Sequence, residues 1–182
     1  MRLPRDRFQI LALASAVGAF ALTVAGGFVT QTGSGLGCPD WPLCHGQVVP
    51  DFSDSNTAIE WTHRTVAAIV GLLVLVTTLF AWRDRRGERR ILRASTLSLV
   101  LVIVQAALGG AVVVSNLNPF LVVAHVSIAA AFFATAVATA LLAFVLPSTA
   151  TASGDIGASS VASVEPAGEV TPPAAPQLED EL

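Results

Sequence analysis

The sequence contains no lysine and no tyrosine, and it has few charges of either sign. All ten basic residues are arginine, and 13% of the 182 residues are charged, where an ordinary soluble domain has about 25%. Hydrophobic residues make up 53% of the chain, and the mean hydropathy is +0.69. This composition argues against a soluble globular domain. The arginines also form no basic face that could follow a phosphate backbone, so nucleic-acid binding is excluded.

Long segments without charge indicate four membrane helices. No Asp, Glu or Arg occurs within residues 8–30, 65–82 or 94–154. The last segment is too long for one helix, and the turn-forming residues 115–119 divide it. A membrane helix needs about 20 apolar residues. The predicted spans lie near residues 8–30, 60–82, 94–115 and 120–146.

The predicted fold is therefore an all-α membrane protein, a four-transmembrane-helix bundle formed by residues 1–146. A cleaved signal peptide is the competing interpretation of the first span. Its apolar core would normally have only about 7–15 residues, fewer than residues 8–30 supply. Residues 147–182 consist mostly of Ala, Ser, Thr, Pro, Gly and acidic residues. That composition predicts a disordered acidic tail, because it cannot bury enough apolar surface to fold.

The positions of the arginines predict the orientation of the bundle. Arg2, Arg5 and Arg7 precede the first span, and a cluster from Arg83 to Arg93 separates the second from the third. Cytoplasmic segments carry the excess of arginine. We therefore expect a multi-pass protein of the plasma membrane, with both termini in the cytoplasm and the loop after the first span outside.

Both cysteines, Cys38 and Cys44, lie in this outer loop, on the side of the membrane where thiols oxidise. A disulfide between them, redox-active or structural, is the favoured interpretation. The alternative is a metal site that adds Asp40 and His45. Zinc normally has four well-spread ligands, and this cluster lacks a second ligand pair at zinc-finger spacing. Trp41, in the same loop, is either an interfacial anchor or part of a lid over a site beneath.

Two histidines are expected at the same depth in the membrane. His63 lies near the start of the second span and His125 near the start of the fourth, and both spans enter from outside. Two imidazoles facing each other across a helical bundle are typical of a bis-histidine haem site. Glu60 shares a helical face with His63, and Arg64 suits a haem propionate.

A purely structural interpretation of these residues also stands. His125 would then hydrogen-bond a neighbouring carbonyl, and Glu60 and Arg64 would form an ordinary ion pair at a helix start. The haem site is favoured because the two histidines lie at the same depth on two helices and the one acidic residue of the spans, Glu60, lies beside His63.

Four segments together resemble the haem A synthase family. The outer loop reads TGSGLGCPDWPLCHG over residues 32–46, and the second span begins with EWTHR over residues 60–64. The third span contains QAALGG over residues 105–110, and His125 follows in the fourth. The loop signature is long enough to be specific, and the resemblance covers residues 8–146.

The resemblance implies conversion of haem O to haem A, the cofactor of terminal haem–copper oxidases. One porphyrin methyl group becomes a formyl group by successive hydroxylations and loss of water. His63 and His125 would be the axial ligands of the haem iron, with Arg64 at a propionate. Glu60 would be the catalytic acidic group beside the methyl, and Cys38 and Cys44 the disulfide pair.

The chain departs from the family pattern in two ways. Many members are twice as long, with one four-helix half for the substrate and another for haem b. A half-length chain implies a homodimer or higher homo-oligomer. Membrane lipid, haem O synthase and an electron donor are further expected partners. Thr30 and Gln31 stand where an arginine is expected before residues 32–46.

Two other functions remain open on the sequence alone. A bis-histidine cytochrome that carries electrons or haem would use His63 and His125 without needing Glu60. An assembly factor acting through the disulfide would need Cys38 but would tolerate the loss of His125. His45 is either a solvated loop residue or an accessory group that meets haem on entry.

Overall fold

Four long helices account for most of residues 6–146, the part of the chain that the computed structural model describes. They are α1 (Arg7–Thr32), α2 (Ser55–Asp84), α3 (Arg89–Val114) and α4 (Pro119–Val145), and a short 3-10 helix, Ser34–Leu36, follows α1. Each long helix is apolar enough to cross a membrane. The predicted all-α, four-span fold class is confirmed, and the protein is a multi-pass membrane protein.

Two helices, α2 and α3, begin five residues earlier than the predicted spans. The helix α2 begins at Ser55 because the side chain of Asp54 accepts a hydrogen bond from the backbone N–H of Thr57, at 3.1 Å, and caps the helix. The helix α3 begins at Arg89, so arginines occupy its first turn. Charged residues therefore mark where a helix leaves the apolar part of a membrane, but they do not mark where the helix begins. The predicted tail, residues 147–182, lies outside the described residues and stays a prediction.

The helices form a four-membered ring in cross-section. Both α1 and α3 pack against α2 and α4, which places α2 and α4 diagonally across the bundle. We call one end of the bundle the loop end, because it carries the α1–α2 loop (residues 33–54) and the α3–α4 turn (residues 115–118). The opposite end is the arginine end, which carries the α2–α3 turn (residues 85–88).

Small and hydroxyl-bearing side chains fill the centre of the bundle. Ser15 and Thr77 share a hydrogen bond of 2.9 Å between α1 and α2. Thr78 donates to the carbonyl of Ser95 on α3 at 3.0 Å. Many large apolar side chains instead face outward, among them Phe20, Phe28, Ile69, Leu72, Ile103, Val123 and Leu141. This distribution suits a membrane, where small residues let helices approach and hydroxyl groups bond across them.

A buried arginine closes the arginine end. Arg85 is 2% exposed, and it pairs with Asp6 at 2.5 Å and with Glu88 at 3.1 Å. Its guanidinium also lies 5.2 Å from the centre of the Phe8 ring. These contacts fix the start of α1 against the α2–α3 turn.

Candidate functional site

The α1–α2 loop is closed by a disulfide between Cys38 and Cys44, both of which are buried. The expected pairing is present, so neither thiol is free to bind a metal. Residues 6–146 contain no cluster of three or more potential metal-ligating side chains. The metal site considered for Cys38, Cys44, Asp40 and His45 is therefore excluded in this part of the chain.

Asp40 and His45 brace the loop from within. The carboxylate of Asp40 accepts hydrogen bonds from the backbone N–H groups of Gly46, at 2.8 Å, and His45, at 2.6 Å. The bond from Gly46 foremost, together with that from His45, holds the pKa of Asp40 below its usual value. The ring Nε2 of His45 lies 3.0 Å from the carbonyl oxygen of Gly37, to which it donates. His45 is exposed, but it is tied to the loop backbone.

The loop covers the ends of the helices. A Cβ on Gly37 would collide with the backbone of Asn56, so only glycine lets the loop pass this close to the start of α2. A Cβ on Gly110 would lie 2.8 Å from Cδ2 of Trp41, so this glycine admits the indole against α3. Trp41 is 47% exposed. One side of the indole therefore covers α3 and the rest remains accessible, and the two interpretations of Trp41, an interfacial anchor or part of a lid, both stay predictions.

Arg64 joins the loop to Glu60. Its Nε donates to Glu60 Oε1 at 2.8 Å. One terminal nitrogen donates to the carbonyls of Asp40, at 2.7 Å, and Leu43, at 3.0 Å, and the other donates to the carbonyl of Cys38 at 2.8 Å. Four of the five guanidinium N–H groups are thus used within the protein. The ion pair of the structural interpretation is present, and the same side chain holds the disulfide loop in place.

Replacing Arg64 with Met is expected to destabilise the protein by about 3–5 kcal/mol, because it leaves the buried Glu60 carboxylate uncompensated and frees three loop carbonyls. Thermal unfolding in detergent measures the loss, and proteolysis of the loop should quicken at the same time. Arg83→Met is the matched control, because Arg83 is 81% exposed in its ion pair with Asp84. That change should shift stability by less than about 0.5 kcal/mol. If the two variants lost the same free energy of unfolding, Arg64 would not be the residue that holds the disulfide loop to Glu60.

Glu60, His63 and His125 face a common region at the loop end. Glu60 is 5% exposed and lies close enough to His125 for their charges to interact. The ring of His63 lies against Gly26 of α1, and the ring of His125 lies against Gly109 of α3. A Cβ on either glycine would come within 3.3 Å of the facing ring carbon. The two glycines therefore let two imidazoles on diagonal helices pack close to the backbones of α1 and α3.

Three buried side-chain atoms within residues 6–146 lack a hydrogen-bond partner: His63 Nδ1, His125 Nδ1 and Gln105 Oε1. The hydrogen bond to a carbonyl that the structural interpretation expects is therefore not made by Nδ1 of His125. Leaving a buried polar group unpaired costs about 1–3 kcal/mol. Two of these atoms belong to His63 and His125, which lie near each other, so this pair is the candidate ligand site. No role for Gln105 was predicted from the sequence, although a lone amide in an apolar span is a signal that could have found it.

A cavity of about 240 Å³ opens between α1 and α2 and reaches His63. Its lining is mostly apolar and comprises Ala25, Phe28, Ala58, Ile59, Thr62 and His63. Phe28 is 57% exposed, so the cavity opens at the outer surface of the bundle. An apolar molecule in the bilayer can approach the histidine from this side.

The similarity to known proteins extends over the part of the chain that forms the four helices. Residues 9–164 match the model of a family described as cytochrome oxidase assembly protein, COX15-CtaA. A protein of Alkalihalophilus pseudofirmus named heme A synthase is 33% identical over 139 residues, which are 76% of this chain and 47% of that protein. A protein of the same name from Shouchella clausii is 36% identical over 135 residues, or 74% of this chain and 45% of the relative. The chain thus spans about half the length of the curated relatives that it matches.

Proposed function

The chain belongs to the family of cytochrome oxidase assembly proteins, and from this membership we propose that it converts haem O to haem A. The observation that carries the proposal is a pair of imidazoles, His63 and His125, each with a buried Nδ1 that has no hydrogen-bond partner, near the buried carboxylate of Glu60. Relatives named heme A synthase support it at 33–36% identity. The reaction is an oxidation of one porphyrin methyl group to a formyl group, which makes the protein an oxidoreductase.

The residues present fit a haem. His63 and His125 lie on diagonal helices, their Nδ1 atoms are buried without partners, and glycines stand beside both rings. These two imidazoles would hold the iron of the porphyrin as axial ligands. When bound, haem O supplies both the redox-active iron and the methyl group that is oxidised.

Glu60 would act on the methyl group. Its carboxylate lies in a dry part of the bundle, where a fixed negative charge acts more strongly than in water. There it would stabilise positive charge that develops at the methyl carbon, or accept the proton that leaves it. Arg64 would orient the carboxylate through the Nε contact and offer its remaining N–H to a propionate.

The disulfide loop would exclude water from the reacting end of the porphyrin. Trp41 lies against α3 beside the position of His125, and Arg64 ties the loop backbone to Glu60. A water-free site preserves the strength of the Glu60 charge and protects a reactive carbon from side reactions.

The proposed setting is the plasma membrane, with the loop end outside and the arginine end in the cytoplasm. We also propose that copies of the chain associate in the membrane as a homodimer or a higher homo-oligomer. Haem O synthase and an electron donor are the proposed partners, and haem b is the candidate second haem of the dimer.

Haem extracted from the purified chain tests the function. The chain is co-expressed with haem O synthase, and the extract is separated by chromatography and identified by mass. We expect haem A, or its hydroxylated precursor, in an amount comparable with that of the protein. Haem B alone, bound in stoichiometric amount, would overturn the proposal and leave a bis-histidine cytochrome.

A further inference from the structure

Gln105 is partly exposed, but its Oε1 is the one buried, unpartnered side-chain atom of residues 6–146 that the proposed reaction leaves without a role. It lies on α3 four residues before Gly109, so the two share a helical face. Gly109 lies against the ring of His125. The face of α3 that carries Gln105 is therefore the face that borders the histidine site.

Gln105 lies deeper in the bundle than the two imidazoles. At about 1.5 Å per residue, its Cα is about 13 Å from the end of α3 at the loop end, whereas His63 and His125 are about 12 and 9 Å from the starts of their helices there. Helical side chains lean toward the N-terminus of their own helix. The two imidazoles therefore lean toward the loop end, and the amide of Gln105 leans toward the arginine end.

A bound porphyrin has a polar edge and an apolar edge, and these would determine its orientation between the loop end and the arginine end. Its two propionates need donors, and the loop end offers the remaining N–H of Arg64. The opposite edge then points toward the arginine end, on the side of Gln105. In haem O that opposite edge carries a hydroxyl group, on the side chain that bears the isoprenoid tail. In haem B the same position carries a vinyl group and has no hydrogen-bond donor.

We propose that Gln105 determines specificity for haem O: its Oε1 accepts a hydrogen bond from the side-chain hydroxyl of haem O. The inference rests on the proposed function, because it takes haem O as the substrate. An amide oxygen needs a donor, and this hydroxyl is the neutral donor that distinguishes haem O from haem B. With haem B bound, the amide would stay unpaired, which disfavours the wrong porphyrin.

The test compares two porphyrins on two forms of the full-length protein. Ligand-free wild type and Gln105→Leu are titrated in detergent with haem O and with haem B, and the Soret band gives the dissociation constants. The isoprenoid tail contributes equally to binding by wild type and by Gln105→Leu. A change in the ratio of the haem B dissociation constant to the haem O dissociation constant therefore reports the contribution of the amide. We expect that ratio to fall about tenfold in Gln105→Leu, with the haem B constant unchanged or lower. Val104→Ala, at the neighbouring exposed position, should keep the wild-type ratio.

Thermal unfolding of the ligand-free proteins separates this role from a structural one. Replacing a buried, unpaired amide oxygen with an apolar group leaves stability unchanged or higher, so Gln105→Leu should unfold at or above the wild-type temperature. A Gln105→Met variant keeps the unbranched shape and should give the same ratio if the leucine variant does not fold. An unchanged ratio in a folded variant overturns the inference, even if wild type makes haem A. Wild type that binds neither porphyrin overturns the proposed function and the inference with it.

Discussion

Glu60→Gln is expected to lower haem A formation by about a hundredfold or more while haem stays bound. Glutamine keeps an oxygen that can accept the 2.8 Å hydrogen bond from Arg64 Nε, so the loop remains in place. What disappears is the negative charge beside the methyl group, and the loss of one such electrostatic contact costs about 10²–10³ in rate. Haem content and haem A are measured on the same extract, so binding and oxidation are separated.

The matched control for this variant is Glu88→Gln at the arginine end. The Glu88 side chain is 8% exposed and pairs with Arg85, much as the Glu60 side chain, at 6%, pairs with Arg64. The control removes a buried, paired carboxylate of the same kind far from the proposed site and should leave haem A formation at the wild-type level. If Glu60→Gln also makes haem A normally, the chemistry does not depend on this carboxylate.

His63→Ala and His125→Ala are each expected to reduce the haem content of the purified protein at least about tenfold. Each change removes one of the two imidazoles proposed to hold the iron, and axial ligands fix both the position of a haem and the state of its iron. Added imidazole should restore part of the haem, because it replaces the lost nitrogen without the side chain. The absorbance of the haem relative to the protein measures the occupancy.

His45→Ala is the control for the histidine pair. His45 is exposed, and its ring bonds the carbonyl of Gly37 within the loop, so its loss should leave the haem content unchanged. An assembly factor that works through the disulfide would behave in the opposite way. It would lose its activity in Cys38→Ser and tolerate His125→Ala, and that pattern would refute the haem-ligand proposal.

The sequence alone predicted the helices because the bilayer imposes a simple rule. Hydrocarbon tolerates only long apolar helices with their backbone bonds satisfied, so charge-free segments of the right length indicate four spans. The starts of α2 and α3 were not predicted, because hydropathy reports neither the Asp54 cap before Ser55 nor the turn before Arg89. The disulfide of Cys38 with Cys44 was predicted from two cysteines in one short loop.

What only the tertiary structure decided is which side chains meet across the bundle. The sequence offered Arg64 as a propionate partner, and the fold uses four of its five N–H groups on Glu60 and the carbonyls of three loop residues, which leaves one for a propionate. The sequence also gave no role to Gln105, and its unpaired oxygen became visible once α3 was packed beside the histidines. Helical periodicity follows from neighbours in the chain, whereas these contacts join residues far apart in sequence. Their partners are set by the diagonal placement of α2 and α4 and by how closely the glycines let the loop and rings approach.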